Sequence, residues 1–488
     1  MKYPALLLIF VSMSSFAQFP TPLQVSEYKT LTANAELISY VQSIAEAVPY
    51  ISLEMTATSH GGKPIPALYI SSGTKTLTGT PKLNVLIFAQ QHGNEPSGKE
   101  GALMLLRDIA DGLMNDLLDN VNVILVPQVN PDGSDLNQRR NGNGIDLNRN
   151  HLMLTEPEVI GLHALYKKYD PEATLDVHEY SPYGSSWKEW GFREDHDETF
   201  GTMTNINTSA ELREIQRKEF LPFIGSYLTE RGFSFNEYNV GGPPNKERIR
   251  NSTVDINDGR QSMGILGSFS MILEGKNGTD SIDNIKRRAE GQCAAMTGYL
   301  SFIARNAETI RKAVAAAKKS VQRKKEVAVQ MEHVGEGPQP QRYFSYATGK
   351  ETTIVIENYH TRVESRLAVQ QPKGYLVPKN DSLLVNILRK HGMTYREYTH
   401  KSAEKVFQYI PEYGEKTVFE EFEVPVRSVK KEAVKKVASA QYYYVPIEQR
   451  KSTMMTLAFE PQSMINLLQY DRFEYLMKEK VWPVLRVE

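Results

Sequence analysis

His92 and Glu95 stand three residues apart, and His178 closes the apolar segment Leu175-Asp176-Val177 far downstream. Two imidazoles and one carboxylate form a ligand set that can hold a catalytic zinc ion and leave a coordination position open. A His-x-x-Glu string arises often by chance, so its setting has to carry the reading. His92, His178 and a third chemically useful side chain, Glu274, each follow directly on a segment that reads as a β-strand. If His178 is not the third ligand, His151 and His196 are the histidines placed to replace it. Asp176 shares a strand face with His178 by the two-residue period, which suits it to orient an imidazole or an arginine rather than to bind metal.

The elements that must position these residues can be read from periodicity. Ile51 to Ala57 and Pro66 to Ser71 alternate in polarity around Gly61-Gly62, the pattern of a hairpin. Residues 84–89 form a continuous apolar run that ends at His92, as expected of a strand buried on both faces. A helix is expected from Ser97, as N-cap, to about Leu118, followed by a second buried strand over Val121 to Val126. Pro157 to Tyr169 reads as a helix, Ala173 to Val177 and Ser268 to Leu273 as further strands. Helices between apolar strands imply crossover connections, hence an α/β fold with a mixed, mostly parallel sheet flanked by helices. In such sheets ligands gather beyond the carboxyl ends of the strands, where these three side chains would lie.

A chain of 488 residues exceeds one ordinary domain. Met1-Lys2, the apolar run Ala5 to Val11 and the small residue Ala17 read as a signal peptide over 1–17, which implies export to a periplasmic or secreted location. The catalytic domain is expected over 18–325, a linker over 326–337 and a smaller α+β or mostly β accessory domain over 338–488. Within the latter, a helix is expected from Asp381 to its stop at His391-Gly392, and the basic run Lys430, Lys431, Lys435, Lys436 reads as a solvated helix face or loop. The 57 basic and 58 acidic side chains nearly cancel, so no overall field favours nucleic acid or an anionic membrane. No apolar stretch is long enough for an integral membrane segment. The single cysteine, Cys293, excludes an intramolecular disulfide and reads as an inert helix residue.

Between the ligand candidates lie Asn130-Pro131-Asp132-Gly133, then Arg139-Arg140, then Gly144-Ile145-Asp146-Leu147-Asn148-Arg149. With His92-x-x-Glu95 before them, and a strand ending in His178 and a late Glu274 after them, the chain resembles the M14 family of zinc metallocarboxypeptidases, the carboxypeptidase A and B type. The resemblance covers about 35–310. It implies one zinc ion on His92, Glu95 and His178. Arg139, or Arg140 if the register differs by one, would stabilise the oxyanion. Asn148 and Arg149 would grip a substrate carboxylate, and Glu274 would be general base and then general acid. The implied reaction is hydrolysis of a C-terminal peptide bond in a peptide or peptide-like substrate with a free carboxylate. Two departures stand out. The span from Glu95 to His178 is shorter than in the digestive enzymes. No tyrosine occurs between Tyr238 and Glu274, where the family commonly carries one on a loop that covers the substrate carboxylate. That stretch instead holds Lys246, Arg248, Arg250 and Arg260. Two other readings stay open: an amidohydrolase of the same class acting on cell-wall peptides or N-acyl amino acids, and a non-catalytic binding protein that retains the fold.

Overall fold

Ile51–Thr58 (β1) and Pro64–Ile70 (β2) form the expected antiparallel hairpin. Leu83–Ala89 (β3), Val121–Val126 (β4), Ala173–Tyr180 (β5), Glu198–Gly201 (β6), Phe235–Glu237 (β7) and Phe269–Lys276 (β8) complete an eight-stranded sheet of order β1-β2-β4-β3-β5-β8-β6-β7. The computed structural model describes residues 18–72, 81–401, 404–420 and 422–488, so the leader expected over 1–17 lies outside the described residues. The four central strands β4, β3, β5 and β8 run parallel, with antiparallel pairings on either side of them. Their nearly unbroken burial is the physical counterpart of the continuous apolar runs.

Helices Asn34–Ala47 (α1), Pro96–Ala110 (α2), Pro157–Tyr169 (α3), Ile285–Arg305 (α4) and Ala307–Ser320 (α5) cover the sheet. The α2 helix begins two residues earlier than expected, with Glu95 as N-cap and Pro96 at the first helical position, where the missing N–H of proline costs no helical hydrogen bond. It stops at Ala110 rather than near Leu118, because Gly112 adopts φ 78° and turns the chain before the separate short helix Asn115–Leu118. Two apolar cores result. One packs β3, β5 and β8 side chains against α2 and α4. The other lies on the opposite face, where Leu86, Phe88, Val159 and Leu162 meet residues from beyond position 326.

The segment 326–337 is not a linker. Glu326–Gly335 is a strand paired antiparallel with Tyr359–Gln370, because Val327, Val329 and Met331 bury into the second core and only then does Gly337, at φ 98°, turn the chain. The strand-rich C-terminal part is tied to the first part by backbone pairing. Tyr359 and His360 pair with Ile249 and Arg250, and Phe344 and Ser345 with Arg193 and Phe192. A six-stranded sheet built from residues 374–487 carries helices Ser382–Lys390 (α6) and Ser452–Phe459 (α7). Asp381 caps α6 by accepting from the N–H groups of Leu383 and Leu384. Lys430 and Lys431 lie in the strand Phe422–Ala433 rather than on a helix or loop; their side chains are solvated and pair with Glu432 and Glu488. Among the described residues no helix is long and apolar enough to cross a membrane.

Phe459 is fully buried in the core that both parts share and meets the Tyr375 ring edge-on. Replacing it with alanine should cost about 3–5 kcal/mol and shift one cooperative unfolding transition of the whole chain. Denaturant unfolding followed by fluorescence and circular dichroism checks this; two separated transitions, with only one displaced, would show that the parts fold independently.

Candidate metal centre and catalytic cleft

Strand register brings the separated motifs to one sheet edge. Ala89 pairs with Val177 and His178 with Glu274, so the last residues of β3, β5 and β8 are neighbours. After β3 the chain turns through Gln90, at φ 58°, and presents His92 and Glu95 immediately before α2. The turn needs glycine at position 93, where a Cβ would stand 2.0 Å from the carbonyl carbon of Gly133. The Asn130-Pro131-Asp132-Gly133 motif is thus the wall against which the His-x-x-Glu turn packs, and Asn130 donates to the carbonyl of Gln91 at 3.0 Å.

His92, Glu95 and His178 are all buried, and among the described residues they alone form a cluster with metal-ligand geometry, their donor atoms within 4.8 Å of one another. His92 Nδ1 lies 2.8 Å from Glu95 Oε1, His178 Nδ1 2.9 Å from Glu95 Oε2, and the two Nδ1 atoms 3.1 Å apart. On the far side of each ring, Nε2 faces a carboxylate: Asp146 Oδ1 at 3.1 Å from His92 and Asp176 Oδ1 at 2.8 Å from His178. A carboxylate only accepts hydrogen bonds, so each Nε2 carries a proton and Nδ1 is the nitrogen that each ring turns inward. Two lone pairs and a carboxylate facing one another repel unless a cation lies among them. The chain's own charges show the same demand. Burial opposes it, yet Asp176 and Glu95 raise the pKa of His178 well above the ordinary imidazole value, and the two histidines hold Glu95 below the carboxylate range in spite of its burial. The Arg139 guanidinium also reaches in, with Nη1 3.2 Å from His92 Nδ1. This donor set fits a single divalent ion of the zinc type. His151 and His196 stand outside it: His151 bonds to Gln91 and His163, and His196 is buried elsewhere.

A cleft of about 340 Å³ opens over this centre. Arg139, Asn148, Arg149 and Glu274 all line it. Arg140 does not; its side chain donates to the carbonyl of Gly144 at 2.9 Å. Arg149 donates to the Asn148 carbonyl at 2.7 Å, and although burial opposes it, Asp255, Asp146 and Asp258 keep the guanidinium charged. Burial pushes the Glu274 carboxyl up to about 7, with Glu95 adding to the rise and His178 opposing it. A carboxyl tuned to that range can take and return a proton near neutrality.

Tyr238 lines the cleft beside Glu274, and burial together with the Glu274 charge raises its phenol well above the usual value. The tyrosine missing from the stretch before Glu274 is therefore matched in the cleft by the residue at its very start, carried there by β7, whose Phe235 to Glu237 join the sheet edge. Of the four cations in that stretch only Arg260 reaches the cleft, where it is buried and paired with Asp258 at 3.0 Å. Lys246 pairs with Glu189, and Arg248 and Arg250 with Glu420. Sequence reasoning also missed the depth of support behind His178. Asp176 accepts from Gln91 Nε2 at 2.9 Å, Gln91 Oε1 bonds His151 at 2.9 Å, and His151 bonds His163 at 3.1 Å. Only Asp176 carried a signal, through its strand phase.

Residues 37–218 match the family model described as zinc carboxypeptidase, that of the M14 metallocarboxypeptidases. The chain is 21% identical over 453 residues to carboxypeptidase 2 of Trichophyton tonsurans, covering 88% of this chain and 81% of that protein. It is 27% identical over 222 residues to carboxypeptidase 2 of Trichophyton rubrum, covering 44% of this chain and 41% of that protein. Among solved structures, a metallo-carboxypeptidase from Pseudomonas aeruginosa in complex with (2-guanidinoethylmercapto)succinic acid aligns with a TM-score of 0.43 at 19% identity, over 57% of this chain and 69% of that one.

Asp176→Asn keeps the shape of the side chain but removes the charge that fixes the His178 ring. Zinc affinity, measured by competition with a chromogenic chelator, should fall about 10- to 100-fold; unchanged affinity would show that Asp176 does not support the centre.

Proposed function

We propose that this chain is an exported, zinc-dependent carboxypeptidase that removes the C-terminal residue of a peptide. The observation that carries the reading is the convergence of three cation-demanding donors, a buried carboxyl tuned near neutrality and an arginine-lined cleft at one sheet edge. His92, Glu95 and His178 would hold a zinc ion, which would supply Lewis acidity at the reacting centre. Everything else falls to the protein. Arg149, with the Asn148 amide, holds the terminal carboxylate by paired charged hydrogen bonds, which restricts cleavage to the last peptide bond. Arg139 donates to the carbonyl oxygen as it gains negative charge. Glu274 accepts the proton of the attacking water and delivers it to the leaving amine nitrogen as the C–N bond breaks, returning to its starting state. Tyr238, which lines the cleft with Glu274, is the nearby phenol able to support that carboxyl.

Glu274→Gln should lower kcat on a blocked dipeptide by at least about a thousandfold, since it removes the proton carrier, while leaving one zinc ion per chain; near-normal turnover would remove Glu274 from this role. Arg149→Lys, which keeps charge but loses the planar fork, should raise KM for substrates with a free carboxylate by roughly tenfold and leave amidated analogues equally poor. A screen of blocked dipeptides, N-acyl amino acids and cell-wall fragments, with and without chelator, tests the class itself. Chelator-sensitive release of a C-terminal residue is expected; stoichiometric zinc without hydrolysis of any substrate would point to a binding protein instead.

A further inference from the structure

A second cavity, of about 430 Å³, lies at the junction of the two parts of the chain, bounded by the end of α3, the end of α6 and the segment that leads into α7. Its volume falls in the range of small-molecule pockets. Leu154, Ile160, Leu266 and Met393 give it an apolar wall, and Ile160 is partly exposed. Lys167, Arg389, Lys390, Arg450 and Lys451 also line it, and no carboxylate does so among the described residues. Arg450 is paired with Asp170. The other four cations have no carboxylate within ion-pair distance among the described residues.

Helix dipoles account for part of this. Lys167 stands in the last turn of α3, and Arg389 and Lys390 in the last turn of α6, where cations are stabilised. Lys451 is placed against that rule: it is the N-cap of α7, at the positive end of a helix dipole. Its ammonium group is held by one bond, donated to His391 Nδ1 at 3.2 Å, while His391 Nε2 donates to the Leu152 carbonyl at 2.7 Å. The imidazole thus aims the lysine without neutralising it. Burial, Lys167 and Arg450 together pull Lys451 down to about 8. Four cations without an ion-pair partner, one of them at a helix N-terminus and directed by a buried histidine, together with the apolar lining make a recognition surface for the opposite charge.

We propose that this cavity is a binding site for a small organic anion, a carboxylate or phosphate head borne on an apolar body, separate from the catalytic cleft. Titration calorimetry on the zinc-loaded full chain with phenylacetate and phenyl phosphate tests it, the two arms distinguishing the head groups and inorganic phosphate testing the need for the apolar body. At least one organic anion should bind saturably and more tightly than inorganic phosphate, and neutral phenylacetamide should give no heat. Lys451→Met, and independently Lys167→Met, should weaken binding roughly tenfold, while Arg149→Gln in the catalytic cleft should leave it unchanged. Absence of saturable binding, affinity unaffected by both lysine variants, or loss of binding in Arg149→Gln would each overturn the proposal.

Discussion

Everything around the centre depends on an electrostatic constraint: two imidazole lone pairs and a carboxylate are held face to face at about hydrogen-bond distance in a buried place. Such an arrangement is unfavourable without a cation. It persists because Asp146 and Asp176 each fix one imidazole proton on the outer nitrogen, and because Gln91 and His151 hold Asp176 in turn. The acidic groups outside the ring pair raise its demand for positive charge further. The protein thereby stores affinity for a divalent ion in the orientation of two rings, and that orientation is set by groups that need never touch the ion.

The sheet provides the distances. In parallel pairing His178 and Glu274 are register partners, which fixes the separation of these two side chains by backbone geometry rather than by flexible loops. His92 and Glu95 follow the neighbouring strand through a turn that packs so closely on residues 130–133 that only glycine fits at position 93. Arg139, Asn148 and Arg149 come from the irregular segment between β4 and α3, which Asp146 anchors by bonding both His92 and the backbone N–H of Asn148. One aspartate therefore orients the His92 ring and ties down the segment that carries Asn148 and Arg149.

The central sheet and the gathering of His92, Glu95 and His178 were legible because their signals are local: an apolar run for β3, strand-like segments for β4 and β5, and a short-range motif at His92-x-x-Glu95. The short edge strands β6 and β7 were not, since four and three residues carry too little periodicity, and with them went the place of Tyr238. The strand Glu326–Gly335 was read as a linker because the Gly335-to-Pro340 punctuation seemed to mark a boundary, whereas Val327, Val329 and Met331 continue the core up to that point. The choice between Arg139 and Arg140 turned on which side chain faces the ring of His92, which spacing does not encode. The second, basic cavity left no trace in the sequence, as its walls come from three distant segments.

The most direct test of the centre is a zinc-edge anomalous diffraction map of the purified chain crystallised with zinc. The expected result is a single strong peak bound by Nδ1 of His92, Nδ1 of His178 and the Glu95 carboxylate, with both Nε2 atoms still bonded to Asp146 and Asp176. A peak ligated through Nε2, or one centred on His151 or His196, would overturn it.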